Sequence, residues 1–379
     1  MTLPLDGVKV ISVEQYGAGP FCTQHLADLG AEVIKIENPA SGGDVGRSVG
    51  PHFTEGGDSL FYLSFNRNKK SVTLDLKADG DMAKLRKLVA GADILFNNLR
   101  GDLPAKLGLD YAAMKGANPA IVCAHLSAYG RTGTRADWPG YDYLMQAEAG
   151  YLSLTGEPDG PPTRFGLSVV DMMTGATAAF AMVSAVLGAR TTGQGRDIDV
   201  SLFDVAMHNQ TYVATWYLNA GDMVERTPRS AHPSLVPSQL YRTRDGWLSI
   251  MCNKAKFWGV LADLIGRPEW KSDPRYVDYA ARLKNRDTLT IELDEVLSQA
   301  TTADWLERLR GHVPVAPVND VAQALDDPYV AEHGVLVDTA HPELGTLRLL
   351  ASPVRCPGEV LPQNPAPGLG ADNDSVLPD

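Results

Sequence analysis

Cysteine is scarce in this chain. Cys22, Cys123, Cys252 and Cys356 are the only four in 379 residues, and they lie far apart with no CxxC pair and no zinc spacing. That speaks against a disulfide framework and a cysteine-held metal, and fits a reduced, cytoplasmic protein; no metal site is expected. Positive charge is also short. Lys and Arg number 34 against 46 Asp and Glu, a net charge of -12, which argues against nucleic acid or an anionic membrane surface as partner. An anionic ligand would have to be met by cations gathered locally. The opening MTLPLDGVKVISVE lacks a basic region followed by an apolar stretch and a cleavage site, so no signal peptide is expected. No stretch reads as a bilayer span. Met172–Ala189 comes nearest, but its Thr, Ser, Gly and Ala content suits packing against protein. No internal repeat is present.

What is present has the length for about two domains. Val8–Val13 reads as a strand, Gly17-Ala-Gly19-Pro20 as a turn, Cys22–Leu29 as a helix closed by Gly30, and Ala31–Ile36 as the next strand. Gly17-x-Gly19 with Glu37 downstream imitates a dinucleotide fingerprint, but Cys22 occupies the third glycine position, which counts against an NAD-dependent oxidoreductase. Pro39–Gly57 is a glycine-rich loop. Strands follow at Ser71–Leu76, Asp93–Asn97 and Ala120–Ala124, with a helix at Asp81–Ala90. The alternation predicts an α/β fold with a parallel sheet, and basic residues at the strand ends (Arg67, Lys69, Lys70, Arg100, Lys106, Arg131) stand where such sheets bind ligands. Taken singly, each is more simply a solvated surface charge. A helix from Leu202 continues past Tyr217, and a polar linker at 219–233 leads to a hairpin around Asp245-Gly246. Helical pieces at about 254–266, 282–299 and 302–310 complete a smaller domain, and Val335–Val354 has strand character and returns to the first domain.

The chain is organised around Leu167–Gly175 and the helix after it. Leu167–Val170 reads as the end of a buried strand, and Met172–Ala189, without a charge, as a helix buried on most faces. Asp171 sits at the joint, where unpaired helix amides and the positive end of the dipole would keep it ionised. Two readings stand side by side. Asp171 is an ordinary N-cap, a far commoner role, or a carboxylate nucleophile that forms a covalent acyl intermediate beside amides able to hold an oxyanion.

Several stretches together resemble the class III CoA-transferases, the CaiB–BaiF family. They are PLDGVKVISVEQYGAGP at 4–20, LADLGAEVIKIENPASGGD at 26–44, LSFNRNKKSVTLDLK at 63–77 and ADILFNNLR at 92–100. LSAYGRTG at 126–133, PGYDYLMQAEAGYLSLTGEPDGPP at 139–162, VVDMMTGATAA at 169–179, GQGRDIDVSLFD at 193–204 and APGLGADNDSVL at 366–377 continue the match in order along nearly the whole chain. The resemblance implies that Asp171 is the nucleophile, passing through an acyl-aspartyl anhydride and an aspartyl-CoA thioester. CoA is then a co-substrate, with no permanently bound cofactor, and the partners are an acyl-CoA and a small carboxylic acid. By motif position it places Ala18, Lys69, Asn98, Leu99, Arg100 and Lys106 on CoA, while Asn38 stands where some relatives have an arginine.

The resemblance further implies a large Rossmann-like domain built from both termini plus a smaller α+β domain, in an interlocked homodimer. The expected boundaries are 1–218, a linker 219–233, 234–325, and a return over 326–379. Gln15, Tyr16, Tyr141 and Asp142 are substrate candidates, with Met145, Gln146 and Met172 nearby, and Arg47 and Arg164 could meet a second carboxylate. The same fold hosts racemases of 2-methylacyl-CoA esters, which need two bases. Their histidine is replaced here by Tyr141, a poor base near neutrality, which favours transfer. His125 and His208 are the other acid–base candidates, each more simply structural. A non-catalytic CoA-binding protein is the remaining alternative, and the retention of Asp171 counts against it.

Overall fold

The computed structural model describes residues 3–377. Its chain divides into two compact units, residues 1–149, 165–211 and 329–379 in the first, 150–164 and 212–328 in the second. Compared with the expected boundaries, the second unit also takes in 150–164, 212–233 and 326–328.

Six parallel strands form the first unit's sheet: β1 (Lys9–Val13), β2 (Glu32–Glu37), β3 (Lys69–Thr73), β4 (Ile94–Asn97), β5 (Val122–Ser127) and β6 (Arg196–Ser201). Their order is β3-β2-β1-β4-β5-β6, the order of a doubly wound sheet. All of β4 and β5 is buried, as the uninterrupted apolar runs of a sheet covered on both faces require. Ile11, Ile34, Val72, Leu95 and Cys123 make one face of that core, packed on Leu85 and Val89 of the helix Asp79–Ala90. The strand order reverses between β1 and β4, so the loops after those two strands part and leave a crevice.

The helix Ala18–Asp28 follows β1, with Pro20 in its first turn, where a missing N–H costs nothing. It packs along the central helix Val169–Thr192. A Cβ on Gly175 would lie 2.8 Å from the Ala18 carbonyl oxygen and 3.2 Å from the Cys22 nitrogen, so only glycine allows the two backbones this close.

The central helix differs from expectation in two ways. It begins at Val169, and Leu167 before it is exposed coil, so there is no Leu167–Val170 strand. Its outer face is also bare: Phe180 and Leu187 are 74% and 65% exposed. By length and composition alone it could cross a membrane, yet its other face packs on β5, β6 and the Leu202–His208 helix. The helix expected from Leu202 past Tyr217 is broken in two, Leu202–His208 and Thr211–Ala220, with Thr211 in a positive-φ conformation between them.

In the second unit, β7 (Ser238–Arg242) and β8 (Trp247–Met251) form the hairpin around Asp245-Gly246, and β9 (Val315–Pro317), which the sequence did not suggest, adds a third antiparallel strand. Its core gathers Trp258, Trp270, Tyr276 and Trp305. Back in the first unit, β10 (Leu336–His341) and β11 (Gly345–Leu350) pair antiparallel, and the tail closes over β3, where the Ser71 and Thr73 amides donate to Asp372 and Asn373.

Gly175→Val forces the two packed helices apart and is expected to cost about 1–3 kcal/mol. Thermal unfolding should show a midpoint several degrees lower, whereas Gly80→Ala, which meets open space, should not lower it.

Candidate functional site

A cleft of about 190 Å³ opens at the carboxyl ends of the strands. The loop after β1 (Gln15, Tyr16, Gly17, Ala18) and the loop after β4 (Asn98, Leu99, Arg100) form two walls. Leu126–Ala128, Trp138–Tyr141 and Leu202 form the rest, and Asp171 stands at its base. The crevice is at the switch point of the sheet, where the fold by itself makes room for a ligand.

Asp171 occupies the third position of the central helix, not the cap. Ser168 is the cap residue and its side chain caps nothing. The Asp171 carboxyl is 6% exposed and accepts no hydrogen bond among the described residues, while its backbone amide donates to Asp142 Oδ2 at 2.9 Å. Gly17 lies so close that a Cβ there would be 2.9 Å from Asp171 Oδ2. Burial, then the Asp142 carboxylate, push its pKa up to about 7. The expectation of a firmly ionised group is therefore corrected. A helix dipole contributes typically 0.3–1 kcal/mol, roughly half a pKa unit, and loses to desolvation without a hydrogen bond to the carboxylate.

The loop carrying Tyr16 is held from three sides. Asn98 donates to the Gln15 carbonyl at 2.7 Å and accepts from its amide at 2.9 Å. A Cβ on Gly19 would collide with the Asn98 side chain at 2.7 Å, which accounts for a glycine that imitates a dinucleotide motif. The Tyr16 amide donates to Asp44 Oδ1 at 2.8 Å, and Asp44 pairs with the buried Lys35. Tyr16 itself sits at φ 69°, an uncommon and strained backbone for a bulky residue, of the kind that clusters at functional sites. Its ring stacks edge-on with Tyr141 at 6.1 Å, and burial, followed by the Asp171 charge, keeps its phenol protonated.

Of the positions singled out in the sequence, Gln15, Tyr16, Ala18, Asn98, Leu99, Arg100, Tyr141 and Asp171 line the cleft together. Several others do not. Lys69 is removed from the CoA set: its Nζ is fully buried and spends its donors on Glu14 at 2.8 Å, Pro20 O at 2.9 Å and Asn66 at 3.0 Å. Burial, opposed by Glu14, brings its pKa down to about 8. Lys106 is exposed and does not line the cleft, but it shares Asp102 with Arg100 at 2.7 and 2.6 Å, so the pair leaves one net positive charge beside the opening. Asp142 is buried behind the wall, engaged with Asp171 N and Gln146.

Arg47 is sealed against Glu37, Asp58 and Tyr62 and cannot reach a substrate carboxylate; Arg164 belongs to the second unit. Met145 and Gln146 are wholly buried, and Met172 is half-buried outside the lining. Among the other basic candidates, Arg67, Lys70 and Arg131 pair with Asp28, Glu32 and Asp199, and Asn38 caps a short 3-10 turn. His125 is held between Asn97 and Asp197, both at 2.9 Å, and His208 is exposed on its helix. Ser127, Trp138 and Leu202 line the site without having been foreseen. Ser127 ends β5, Leu202 opens the Leu202–His208 helix and Trp138 lies in the loop between β5 and the central helix, where their residue types by themselves signal no chemistry.

A buried carboxylate thus stands at the switch point of a doubly wound sheet with a narrow cleft in front of it, an arrangement that acyl or thioester chemistry can use. Comparison with known proteins agrees. The model of CoA-transferase family III matches residues 5–373. The acetyl-CoA:oxalate CoA-transferase of Acetobacter aceti is 36% identical over 94% of this chain and 90% of its own. The succinate–glutarate CoA-transferase of Agrobacterium fabrum is 34% identical over 99% and 95%. A crystal structure of a CAIB/BAIF family protein from Brucella suis superimposes with a TM-score of 0.87 at 33% identity, covering 99% of both chains. The chain belongs to CoA-transferase family III.

The raised proton affinity of Asp171 has a consequence for stability. The folded carboxyl, with a pKa of about 7, binds its proton more tightly than the unfolded one at 3.8, so stability is lost as pH rises from about 4 to 7. Asp171→Asn should therefore be more stable than wild type above pH 7, by up to about 4 kcal/mol, with the difference vanishing toward pH 4. Denaturant titrations of both proteins across that range measure it.

Proposed function

We propose that this chain moves CoA from an acyl-CoA thioester to a carboxylic acid, with Asp171 as the covalent relay. The observation that carries the reading is a buried carboxylate whose oxygens accept no hydrogen bond among the described residues and which lines a cleft at the switch point. The Asp171 oxygen attacks the thioester carbonyl, the C–S bond breaks, and CoA leaves as thiolate. That thiolate attacks the aspartyl carbonyl of the mixed anhydride and releases the donor acid as carboxylate. The acceptor carboxylate attacks the aspartyl thioester, and the thiolate then attacks the acyl carbonyl of the second anhydride. Acyl-CoA product and free Asp171 carboxylate result, with no net proton change. Each intermediate stays activated, so little of the thioester's free energy is lost.

CoA fits the crevice in parts. The 190 Å³ cleft suits the thin pantetheine chain and the acyl group. An apolar slot of about 160 Å³ adjoins it through the shared Leu99, lined by Val13, Ile36, Leu74 and Leu107, and it suits the flat faces of a base. Arg100 and Lys106 supply local positive charge in an acidic protein, for the phosphates. The racemase alternative loses support, because Asp142 and His125 are both committed to protein partners.

The same reading extends to a homodimer, interlocked as the family resemblance implies. Phe180 and Leu187 on the central helix, and a Thr211–Ala220 helix with no buried residue, are apolar faces that a second copy would cover. Four unpaired cysteines suit a cytoplasmic setting.

Mass spectrometry after incubation with a panel of acyl-CoA thioesters, trapped with hydroxylamine or borohydride, should place an adduct on the peptide containing Asp171, absent in Asp171→Ala. No adduct with any donor, together with deuterium exchange at C2 of a 2-methylacyl-CoA, would move the assignment to racemase. In sedimentation, the wild type should run as a dimer and Phe180→Asp/Leu187→Asp as a smaller or aggregated species; a monomeric wild type refutes the dimer.

A further inference from the structure

The mechanism leaves one buried carboxylate beside the site without a part. Asp142 opens the helix Asp142–Glu148 and is 4% exposed. Its Oδ2 accepts the Asp171 amide at 2.9 Å, and its Oδ1 accepts Gln146 Nε2 at 2.6 Å. Gln146, with no exposed surface, also donates to the Leu167 carbonyl at 3.2 Å and accepts the Phe165 amide at 2.9 Å. Two side chains thus tie one helix, the segment entering the central helix, and the turn that carries Asp171. No basic group pairs with Asp142 among the described residues.

We propose that Asp142, held by Gln146, is the positioning residue of Asp171, fixing the first turn of the central helix and keeping an unpaired negative charge beside the reacting carboxylate. This rests on the reading of Asp171 as covalent relay. Two like charges whose carboxylates belong to hydrogen-bonded neighbours in a desolvated site repel. The repulsion is relieved once Asp171 becomes a neutral anhydride or thioester, so Asp142 favours the acylated enzyme over the free one. It also makes the Asp171 carboxylate more basic, and with that more nucleophilic.

The surroundings leave this charge uncompensated. Besides Asp171, the ionisable residues lining the cleft are Tyr16, Tyr141 and Arg100, and Arg100 is bound to Asp102. Tyr143 and Glu148 stand on the helix of Asp142 itself, Glu148 paired with Arg135, and the ionisable residues of the first helix are Cys22, His25 and Asp28, the last paired with Arg67. From β5 and β6, His125, Asp197 and Asp199 are engaged among themselves and with Arg131, and Asp204 on the Leu202–His208 helix is exposed.

The experiment follows the rate of adduct formation on the Asp171 peptide between pH 5 and 9 in three proteins. In wild type the rate should rise about tenfold from pH 6 to pH 8 as Asp171 ionises. Asp142→Asn keeps an oxygen for the Asp171 amide but removes the charge, and should move the midpoint of the rise down by at least about half a pH unit. Asp142→Glu keeps the charge but misplaces the acceptor, and should slow adduct formation several-fold while the midpoint stays high. An Asp142→Asn midpoint equal to wild type, or an Asp142→Glu rate equal to wild type, overturns the proposal. Infrared difference titration of the Asp171 carboxyl, referenced to Asp171→Asn, reads the same midpoints without turnover. It separates failure of this inference from failure of the relay itself, which would show as a wild type without adduct.

Discussion

The site depends on keeping water from one carboxylate. Asp171 is walled in because the backbones around it come closer than side chains would allow: Gly17 against its oxygen, Gly175 against Ala18, Gly140 against Ala128. Desolvation then outweighs the favourable end of the helix dipole, and the group settles near neutrality in its proton affinity. A carboxylate so desolvated is more basic than one in water.

Beneath that site lies a second constraint, a buried set of charges under the loop after β1. Lys35 and Lys69 face Glu14 and Asp44, and Arg47 faces Glu37 and Asp58, nearly all without solvent contact. Breaking such pairs costs on the order of 3–5 kcal/mol each, because the surviving charge stays buried. The set contributes geometry more than net stability. Asp44 reaches out of it to hold the strained Tyr16 over Asp171. Basic residues that look like ligand contacts are here spent on protein carboxylates, while Arg100 and Lys106 share the single Asp102 and leave one net positive charge.

The central helix joins these roles. One face, rich in small residues, accepts the helix after β1 at close range; its first turn presents Asp171; its outer face keeps Phe180 and Leu187 in solvent. A helix with so little polar surface serves the core on one side and exposes large apolar side chains on the other.

Most elements are legible in the sequence alone, though not the coil at Leu167, the break after His208 or β9. Largely apolar stretches make β1, β4 and β5, β2 forms around the buried Lys35, Asp245-Gly246 turns the hairpin, and the uncharged stretch after Asp171 makes the long helix, because these signals are local. Family motifs spread along the chain single out Asp171 as the candidate reactive group from sequence alone. Tertiary structure alone decided which charges are spent. Lys69 meets Glu14 from 55 residues away, Arg67 meets Asp28 from 39, and Asp142 reaches the Asp171 amide from 29. Pairing and desolvation are properties of neighbours in space, and the proton affinity of Asp171 follows from them. No spacing in the chain encodes it.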